Sequence, residues 1–336
     1  MSMRYISLFS GIEAASCAWE HLGWEPIAFS EIEPLPKAVL KHHYPNVPDL
    51  GDITKIDWSS YVGSADVVVG GSPCQSFSVA GSRTGLAGAS GLMWEYVRAV
   101  QAIRPQWFVW ENVPGALSSS HGEDFRCLLE SMDGLGYGLA WRVLDAQFFG
   151  VAQRRRRVFL VGHLGDRRAA EVLFERESVQ WNSASSREKR QALTKGTQNG
   201  ARTAGRSIDW NRTDGRCRWP DDPTLVQTLS AHMGTGGDNV PPVYQIAGNI
   251  IGRANMSATL TCGVQQTLFP GNGTVRRLTP VECERLQGFP DGYTDIPFRG
   301  KHHAPDSARY KALGNSMAVP VMRWIGEGIS LLPVRR

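Results

Sequence analysis

The sequence lacks the patterns that mark membrane-spanning and secreted proteins. Its 336 residues contain no apolar run of about 18 residues, the length at which a membrane-spanning helix is expected. The first residues, MSMRYISLFSG, lack the charged region followed by an apolar region that defines a secretory signal peptide. We therefore expect an intracellular protein that does not associate with membranes.

Cysteine is scarce and shows no pairing pattern. The six cysteines are Cys17, Cys74, Cys127, Cys217, Cys262 and Cys283. Because they form no Cys-x-x-Cys pair and no regular spacing, the sequence argues against a zinc site and against a disulfide framework. We expect reduced thiols and no bound metal, and a lone cysteine is most often a small buried apolar residue. The dinucleotide fingerprint Gly-x-Gly-x-x-Gly is also absent, which disfavours a nicotinamide or flavin cofactor.

Neither sign of charge dominates. The chain has 36 Lys and Arg against 32 Asp and Glu, a formal net charge of +4. So small an excess is a weak indication of a polyanionic partner. Its distribution is more informative, because positive charge is concentrated in QRRRR at Gln153 to Arg157 and in VRR at Val275 to Arg277.

Short apolar runs alternate with amphipathic segments from Arg4 to about Gly162. The predicted strands are YISL, EPIAFS, ADVVVGG, QWFVWENV, RVLDA and QRRRRVFLVGHL, with one more expected before Asp52. The predicted helices are EAASCAWEHLG, PLPKAVLKHHY, GLMWEYVRAVQAI and EDFRCLLESMDGLG. This alternation predicts a Rossmann-like α/β fold in which a mostly parallel sheet carries helices on both faces.

The composition changes after about Leu164. Residues 187–273 are rich in Ser, Thr, Asn, Gly and Arg, which is typical of a flexible linker or of disorder. The region after Leu164 also carries Trp181, Trp210, Trp219, Tyr244 and Phe269, which favours a small, loop-rich domain. Regular patterns return at RRLTPVECERLQGFP and in the helical GNSMAVPVMRWIGEGISLL. We predict a larger α/β domain over 1–162, a smaller loop-rich domain over 163–274 and a segment over 275–336 that returns to the larger domain.

Three residues that follow predicted strands are suited to an adenosine-containing ligand. Gly11, in LFSGIEAAS, lies between the first strand and its helix, where a ligand can approach backbone N–H groups. Glu31 ends the second strand about twenty residues later, where an acid can bond ribose hydroxyls. Together with Asp52 they suggest an adenosine pocket without a pyrophosphate, although a plain turn with surface acids remains the alternative for each feature alone.

Two further strands end in reactive side chains. Cys74 follows DVVVGGSP at a strand exit, where exposed backbone N–H groups can stabilise a thiolate. Glu111 ends the apolar strand WFVWEN, where apolar neighbours can raise the pKa of a carboxyl and make it a proton donor. A structural cysteine and a turn carboxylate are the plain alternatives.

The basic run enters an apolar strand. If Gln153 to Arg157 are extended, then Gln153, Arg155 and Arg157 point one way and Arg154 and Arg156 the other. Arginines in this position suit a phosphate or a polarised carbonyl oxygen. A solvated basic run is the usual explanation for such a cluster, but this one continues directly into VFLVG.

These pieces, in this order, resemble the DNA (cytosine-5) methyltransferase family over most of the chain. DVVVGGSPCQSFSVAG resembles the family's Pro-Cys nucleophile loop, ENV its glutamate motif and QRRRR its Gln-x-Arg-x-Arg motif. LFSGIEAAS, Glu31 and GDI resemble its S-adenosylmethionine motifs, and RRLTPVECERLQGFP and ALGNSMAVPV its last two motifs. One departure is Glu13-Ala14, where the family usually carries small residues.

The resemblance implies a mechanism. The Cys74 thiolate would add to C6 of a flipped cytosine and raise electron density at C5, while protonated Glu111 holds N3. Arg155 would bind the carbonyl oxygen of the base or a phosphate, with Arg157 supporting this edge. After methyl transfer, loss of the C5 proton would free Cys74, and the loop SVAGSRTGLAGASG would close over DNA.

The resemblance also implies that 1–162 is the catalytic and S-adenosylmethionine-binding domain, 163–274 the target-recognition domain and 275–336 a support motif and returning segment. It further implies sets of site residues. The catalytic set is Cys74, Glu111, Arg155, Arg157, Pro73 and Gln75. The set that binds S-adenosylmethionine is Phe9, Ser10, Gly11, Ile12, Glu13, Glu31, Ile32, Asp52, Ile53, Pro73, Leu92, Asn315 and Ser316. The DNA-binding set is Gln75, Ser78, Gln153, Arg155, Arg276 and Arg277.

The expected partner is double-stranded DNA, and no obligate protein partner is expected. The sequence does not decide whether a companion restriction endonuclease exists. We expect a cytoplasmic monomer in a bacterial cell or a phage-infected host. The alternatives are the same chemistry on transfer RNA, a catalytically inactive DNA-binding relative, and an unrelated enzyme that acts on small molecules.

Overall fold

The computed structural model describes residues 2–73, 91–174, 206–207, 242–246 and 273–332, and gives the backbone only for 206–207, 242–246 and 273–277. The chain divides into two compact units. Unit 1 comprises Met1–Asp145, Arg156–Ser183 and Ser316–Arg336, and unit 2 comprises Ala146–Arg155 and Ala184–Asn315. The predicted target-recognition domain lies almost entirely outside the described residues and stays a prediction.

Unit 1 is built on a six-stranded sheet in the order β2-β1-β3-β4-β6-β5. Its strands are β1 (Arg4–Leu8), β2 (Glu25–Ser30), β3 (Val67–Gly70), β4 (Trp107–Asn112), β5 (Tyr137–Asp145) and β6 (Arg156–Leu164). The first four strands in the sheet order are parallel, whereas β6 runs antiparallel to both of its neighbours. Strands β3 and β4 are buried along their whole length, as expected for strands covered on both faces.

Helices lie against both faces of this sheet. In chain order the described helices of the two units are α1 (Ala14–Trp19), α2 (Pro34–His43), α3 (Gly91–Ile103), α4 (Glu123–Gly134), α5 (Ala169–Leu173), α6 (Pro280–Gln287), α7 (Asp306–Asn315) and α8 (Val319–Ser330), of which α6 and α7 belong to unit 2. Ile6, Val68 and Phe108 pack with α3 and α4 in one apolar cluster. Because side chains alternate along a strand, Tyr5 faces the other side, where its ring meets Trp19 of α1 at 5.1 Å. This confirms the predicted α/β fold with a mostly parallel sheet.

Helix α8, near the end of the described chain, packs against α1. The indole Nε1 of Trp19 donates to the carbonyl oxygen of Met322 at 2.8 Å. A Cβ at Gly326 would lie 2.3 Å from the same Nε1, so only glycine permits this contact. None of the helices in the described ranges is long and apolar enough to cross a membrane.

Unit 2 contains α6, α7 and a second sheet. That sheet has the antiparallel order β7-β8-β9, with β7 at Arg206–Ser207, β8 at Pro242–Ile246 and β9 at Gly273–Arg277. Helix α6 begins at the predicted place, because Thr279 and Glu282 form a reciprocal capping box. It ends at Gly288, whose φ of 84° suits a residue without a Cβ.

Four local predictions were inaccurate. The strand predicted over QRRRRVFLVGHL begins only at Arg156 and ends at Leu164, two residues beyond the expected domain boundary. Strand β5 begins at Tyr137, well before RVLDA, because it pairs along its full length with β6. Between α2 and Asp52, a stretch that the structure describes in full, there is no strand and only the isolated bridge between Phe29 and Asp49. Helix α7 was not predicted.

Candidate active site and cofactor-binding edge

Four motif residues of unit 1 lie at the carboxyl ends of parallel strands that are in register. Leu8 pairs with Ser30 of β2 and with Gly70 of β3, and Gly70 pairs with Trp110 of β4. The next residues in these segments are Phe9, Glu31, Gly71 and Glu111. Parallel strands end at the same edge, so these four positions form one row where α/β sheets hold ligands.

The loop after β1 is tightly folded. Phe9, Gly11 and Glu13 have φ values of 52°, 57° and 65°, a conformation that is uncommon outside glycine. The Ser10 N–H donates to the carbonyl oxygen of Ser30 at 3.1 Å, and the Gly11 N–H donates to Glu31 Oε2 at 2.7 Å. The loop is therefore fixed to the end of β2.

Glu13, the departure from the family pattern, is buried at the start of α1. Its Oε1 accepts hydrogen bonds from the backbone N–H and the hydroxyl of Ser16, each at 3.2 Å. Burial raises the pKa of Glu13 to about 7 and outweighs these hydrogen bonds. Glu13 thus caps α1 from inside the protein. Its neighbour Ile12 is also buried.

Glu31 uses both carboxylate oxygens to bind backbone. Its Oε1 accepts from the N–H groups of Ile32 and Glu33 at 2.7 and 2.8 Å, and Oε2 accepts from Gly11. Burial raises the pKa of Glu31, and the backbone hydrogen bonds oppose that shift. The carboxylate therefore joins the loop after β1 to the segment after β2, while the side chain of Ile32 is 66% exposed.

Asp52 lies in a short 3-10 turn rather than after a strand. It caps Ile53–Lys55 by accepting from the backbone N–H of Thr54 at 3.1 Å and from its hydroxyl at 2.8 Å. These hydrogen bonds lower the pKa of Asp52. Ile53 is buried in the core, and Phe9 and Leu92 pack against the same apolar cluster.

Glu111 and Arg157 meet at the end of β4. Arg157 Nε lies 3.2 Å from Glu111 Oε1, and both side chains are largely buried. Gly71 packs against the same carboxyl, because a Cβ on Gly71 would lie 2.9 Å from Glu111 Oε2 and 3.0 Å from its carbonyl oxygen. The structure therefore brings together Gly71, Glu111 and Arg157.

Two side chains that the sequence analysis did not assign to the site hold the residue before Pro73. Asn112 Nδ2 donates to the carbonyl oxygen of Ser72 at 3.0 Å, and Trp110 Nε1 donates to the Ser72 hydroxyl at 3.2 Å. The available signal was a buried Asn at the end of an otherwise apolar strand. Pro73 is exposed, whereas Cys74, Gln75 and Ser78 lie outside the described residues.

Gln153 and Arg155 belong to unit 2 and are buried there. Gln153 Nε2 donates to the carbonyl oxygen of Leu286 at 2.9 Å, and Arg155 Nη2 donates to that of Gly314 at 3.1 Å. Arg154 and Arg156 are exposed, so buried and exposed side chains alternate as predicted. The alternation begins before the strand, since Gln153 and Arg155 precede it. These contacts tie the segment to α6 and α7, and the predicted contacts with DNA stay predictions.

The remaining predicted residues are dispersed. Asn315 is the exposed last residue of α7 in unit 2, whereas Ser316 is buried in unit 1 and its hydroxyl donates to the carbonyl oxygen of Met317. Arg276 and Arg277 lie in β9, where they pair with Val243 and Pro242, and their side chains lie outside the described part.

Comparison with known proteins identifies the family and the fold. The family model of C-5 cytosine-specific DNA methylases matches residues 3–331. Over 97% of its length the chain is 35% identical to a protein of Escherichia phage P1 named DNA N-6-adenine-methyltransferase, of which it spans 61%. It is 30% identical to the Type II methyltransferase M2.BsuMI of Bacillus subtilis, covering 98% of this chain and 75% of that one. The crystal structure of the S. pombe Dnmt2 methyltransferase has the same fold, with a TM-score of 0.66, 15% identity, and coverage of 98% of this chain and 99% of that one.

Proposed function

The chain belongs to the C-5 cytosine-specific DNA methylase family, and on that premise we propose that it transfers a methyl group from S-adenosylmethionine to C5 of cytosine in a specific duplex DNA sequence. The observation that carries this proposal is the row of motif positions at the carboxyl ends of β1, β2, β3 and β4. A cofactor segment and a catalytic segment thereby share one edge of the sheet.

The residues at this edge fit S-adenosylmethionine. Glu31 binds three backbone N–H groups, and a carboxylate has about four lone-pair positions, so one position is left for a ribose hydroxyl. Asp52 is preorganised by Thr54, and the exposed Ile32 offers an apolar surface for a base. When bound, the cofactor supplies a methyl group activated by its sulfonium charge.

Cys74 is the proposed nucleophile. Its thiolate adds to C6 of cytosine, so that electron density rises at C5, where the new carbon–carbon bond forms. Loss of the C5 proton and cleavage of the C6–S bond then return the thiolate. The target base must leave the duplex to reach this thiol. Asn112 and Trp110 support the role by fixing Ser72, two residues before Cys74.

Glu111 is proposed to hold N3 of the base and to donate a proton to it as charge develops. Arg157 fixes the orientation of the carboxyl through Oε1, and Gly71 permits the close approach of Oε2. For Arg155 we propose contact with the carbonyl oxygen of the base or a neighbouring phosphate, on the resemblance to the family. From the Type II name of the Bacillus relative we extend the proposal to a role in restriction–modification.

The name of the phage relative raises adenine as a second target, and the test includes it. Methylation of an exocyclic amine needs no thiol addition to a ring carbon, so an essential Cys74 separates the two reactions. Purified protein is incubated with unmethylated duplex DNA or with transfer RNA and S-adenosylmethionine, and the nucleosides are quantified by mass spectrometry. The variants are Cys74→Ala and, as a matched control, Cys127→Ala, a half-buried thiol of α4.

We expect 5-methyldeoxycytidine from the wild type and the control, and none from Cys74→Ala. N6-methyldeoxyadenosine that persists in Cys74→Ala would overturn the proposed chemistry. Modification of transfer RNA alone would overturn the proposed substrate.

A further inference from the structure

The side chain of Asp49 connects two segments that the cofactor site requires. Its Oδ1 accepts from the backbone N–H of Glu31 at 3.2 Å and from that of Gly51 at 3.0 Å. Its Oδ2 lies 2.6 Å from Nζ of Lys37, which also donates to the carbonyl oxygen of Glu31 at 3.3 Å. The Asp49 side chain is only 19% exposed, so solvent screens this pair less than a surface ion pair.

These contacts fix both acids that are assigned to the adenosine moiety. One hydrogen bond holds Glu31, the proposed ribose ligand, and the other holds Gly51, the residue before Asp52. Glu31 in turn binds Gly11, so the loop after β1 is tied to the same point. One carboxylate thus sets the spacing of all three cofactor segments.

The backbone in this region is held independently of the Asp49 side chain. Phe29 and Asp49 form a parallel bridge, in which the Leu50 N–H donates to Phe29 at 2.8 Å and the Phe29 N–H donates to Pro48 at 2.9 Å. Removal of the carboxylate therefore loosens the spacing of the segments without removing the strand contacts around it.

We propose that Asp49, held by Lys37, is a positioning residue that sets the affinity for the adenosine part of the cofactor. The inference rests on the proposed function, because it takes Glu31 and Asp52 as adenosine ligands. Asp49 itself lies against backbone N–H groups and a lysine, and it acts through Glu31 and Gly51.

The test compares Asp49→Ala, Asp49→Asn and the control Asp57→Ala. Asp57 caps the next 3-10 turn in the way that Asp52 does, accepting from the N–H and hydroxyl of Ser59, and it contacts none of the assigned cofactor residues. Asn retains an oxygen that can accept both hydrogen bonds but loses the charge that pairs with Lys37. Calorimetry gives the Kd for S-adenosylmethionine and for adenosine, and initial rates give kcat and the KM for DNA.

We expect Asp49→Ala to weaken binding of both ligands by about tenfold, equivalent to ~1.4 kcal/mol. Asp49→Asn should recover only part of that loss, because its amide NH2 would face the Lys37 ammonium in place of Oδ2, and Asp57→Ala should bind as the wild type does. In all three variants kcat at saturating cofactor and the KM for DNA should stay within about twofold of wild type, which a general loss of structure would not allow.

Equal affinities in Asp49→Ala and Asp57→Ala would overturn the inference, as would a fall in kcat that accompanies the change in Kd. Binding of S-adenosylmethionine and methylation of DNA by the wild type show whether the inference alone has failed or the proposed function as well. A wild type that binds S-adenosylmethionine and methylates DNA, with an unaffected Asp49→Ala, refutes only the role of Asp49. A wild type that binds no S-adenosylmethionine refutes the proposed function and the inference with it.

Discussion

Glu284, at the centre of α6, should be the most sensitive charged position in the described part of unit 2. It is fully buried, and its Oε2 accepts from the Gly292 N–H at 2.7 Å. Its Oε1 accepts from the N–H and hydroxyl of Thr294 and from Nη2 of Arg309, the latter at 3.2 Å. One carboxylate therefore orders the loop after α6 and neutralises a buried arginine of α7.

The magnitude follows from the groups that a substitution leaves behind. Glu284→Ala removes the buried carboxylate partner of Arg309, a loss that typically costs about 3–5 kcal/mol. Arg309 keeps the carboxylates of Asp295 and Asp306 at 3.8 and 3.6 Å, so we expect the lower end of that range. It also removes the acceptor for the buried N–H of Thr294 and the part-buried N–H of Gly292, each worth about 1–3 kcal/mol, with the part-buried group at the lower end. We expect the free energy of unfolding to fall by about 5 kcal/mol, or by about 10–20 °C in Tm for a domain of this size.

Arg309→Met should cost less, about 2–3 kcal/mol, because Glu284 keeps its three other donors. The double variant should be close to Glu284→Ala, which gives a coupling energy of about 2–3 kcal/mol between the two side chains. Arg285→Ala is the matched control on the same helix, since its ion pair with Asp291 is half exposed and is worth at most about 1 kcal/mol.

The assay is urea unfolding of the full chain followed by circular dichroism, with calorimetry for Tm. Additive effects of Glu284→Ala and Arg309→Met to within about 0.5 kcal/mol would refute the reasoning, because residues that share a buried ion pair must couple. A control that loses as much stability as Glu284→Ala would refute it as well.

Two further predictions concern unit 1. Gly71→Ala should lower kcat by about tenfold or more with little change in the Kd for S-adenosylmethionine, because its Cβ would lie 2.9 Å from Glu111 Oε2. Gly134→Ala, whose Cβ meets nothing within 4 Å, is the control, and equal kcat values in the two variants would contradict this prediction. The pKa of Glu13 is about 7 in the folded state, above the unfolded value of 4.5. Its contribution to the free energy of unfolding is therefore complete below about pH 4.5 and is lost as the pH rises through 7. The total loss is about 3 kcal/mol. Denaturation at pH 5 and pH 8 should show this loss in the wild type and not in Glu13→Gln, and parallel pH profiles would contradict it.

Much of the edge of the sheet could be predicted from the sequence, because strand ends are marked by abrupt changes in polarity. Glu31 and Glu111 each end an apolar run, and the parallel sheet places both at one edge. The alternation of Gln153 and Arg155 with exposed arginines was also visible. The cause of this alternation could not be predicted. Gln153 and Arg155 precede the strand, and they are buried because they hydrogen-bond to residues of α6 and α7, which are distant in the sequence.

Other features depend on partners that are distant in the sequence. Asn112 holds Ser72 across forty positions, and no local pattern identifies that pair. The same is true of Asp49, which resembles any loop aspartate until the fold sets it beside the N–H groups of Glu31 and Gly51.

The reversed direction of β6 has a consequence for how this edge acquires its chemistry. At this edge of the sheet each parallel strand places its last residues and those that follow it. An antiparallel strand instead places its first residues there. Glu111 pairs with Phe159 and Asn112 with Val158, so the start of β6, where Arg157 lies, runs level with the end of β4. The site therefore obtains its arginine from a hairpin, and β5 and β6 are paired over their full nine residues. Sequence change in the turn of such a hairpin leaves the strand order intact, and each doubling of its length costs only about 0.6 kcal/mol. Evolution can therefore alter the exposed positions of this turn without rebuilding the sheet that positions Arg157, whereas the buried Gln153 and Arg155 remain constrained by their contacts with α6 and α7.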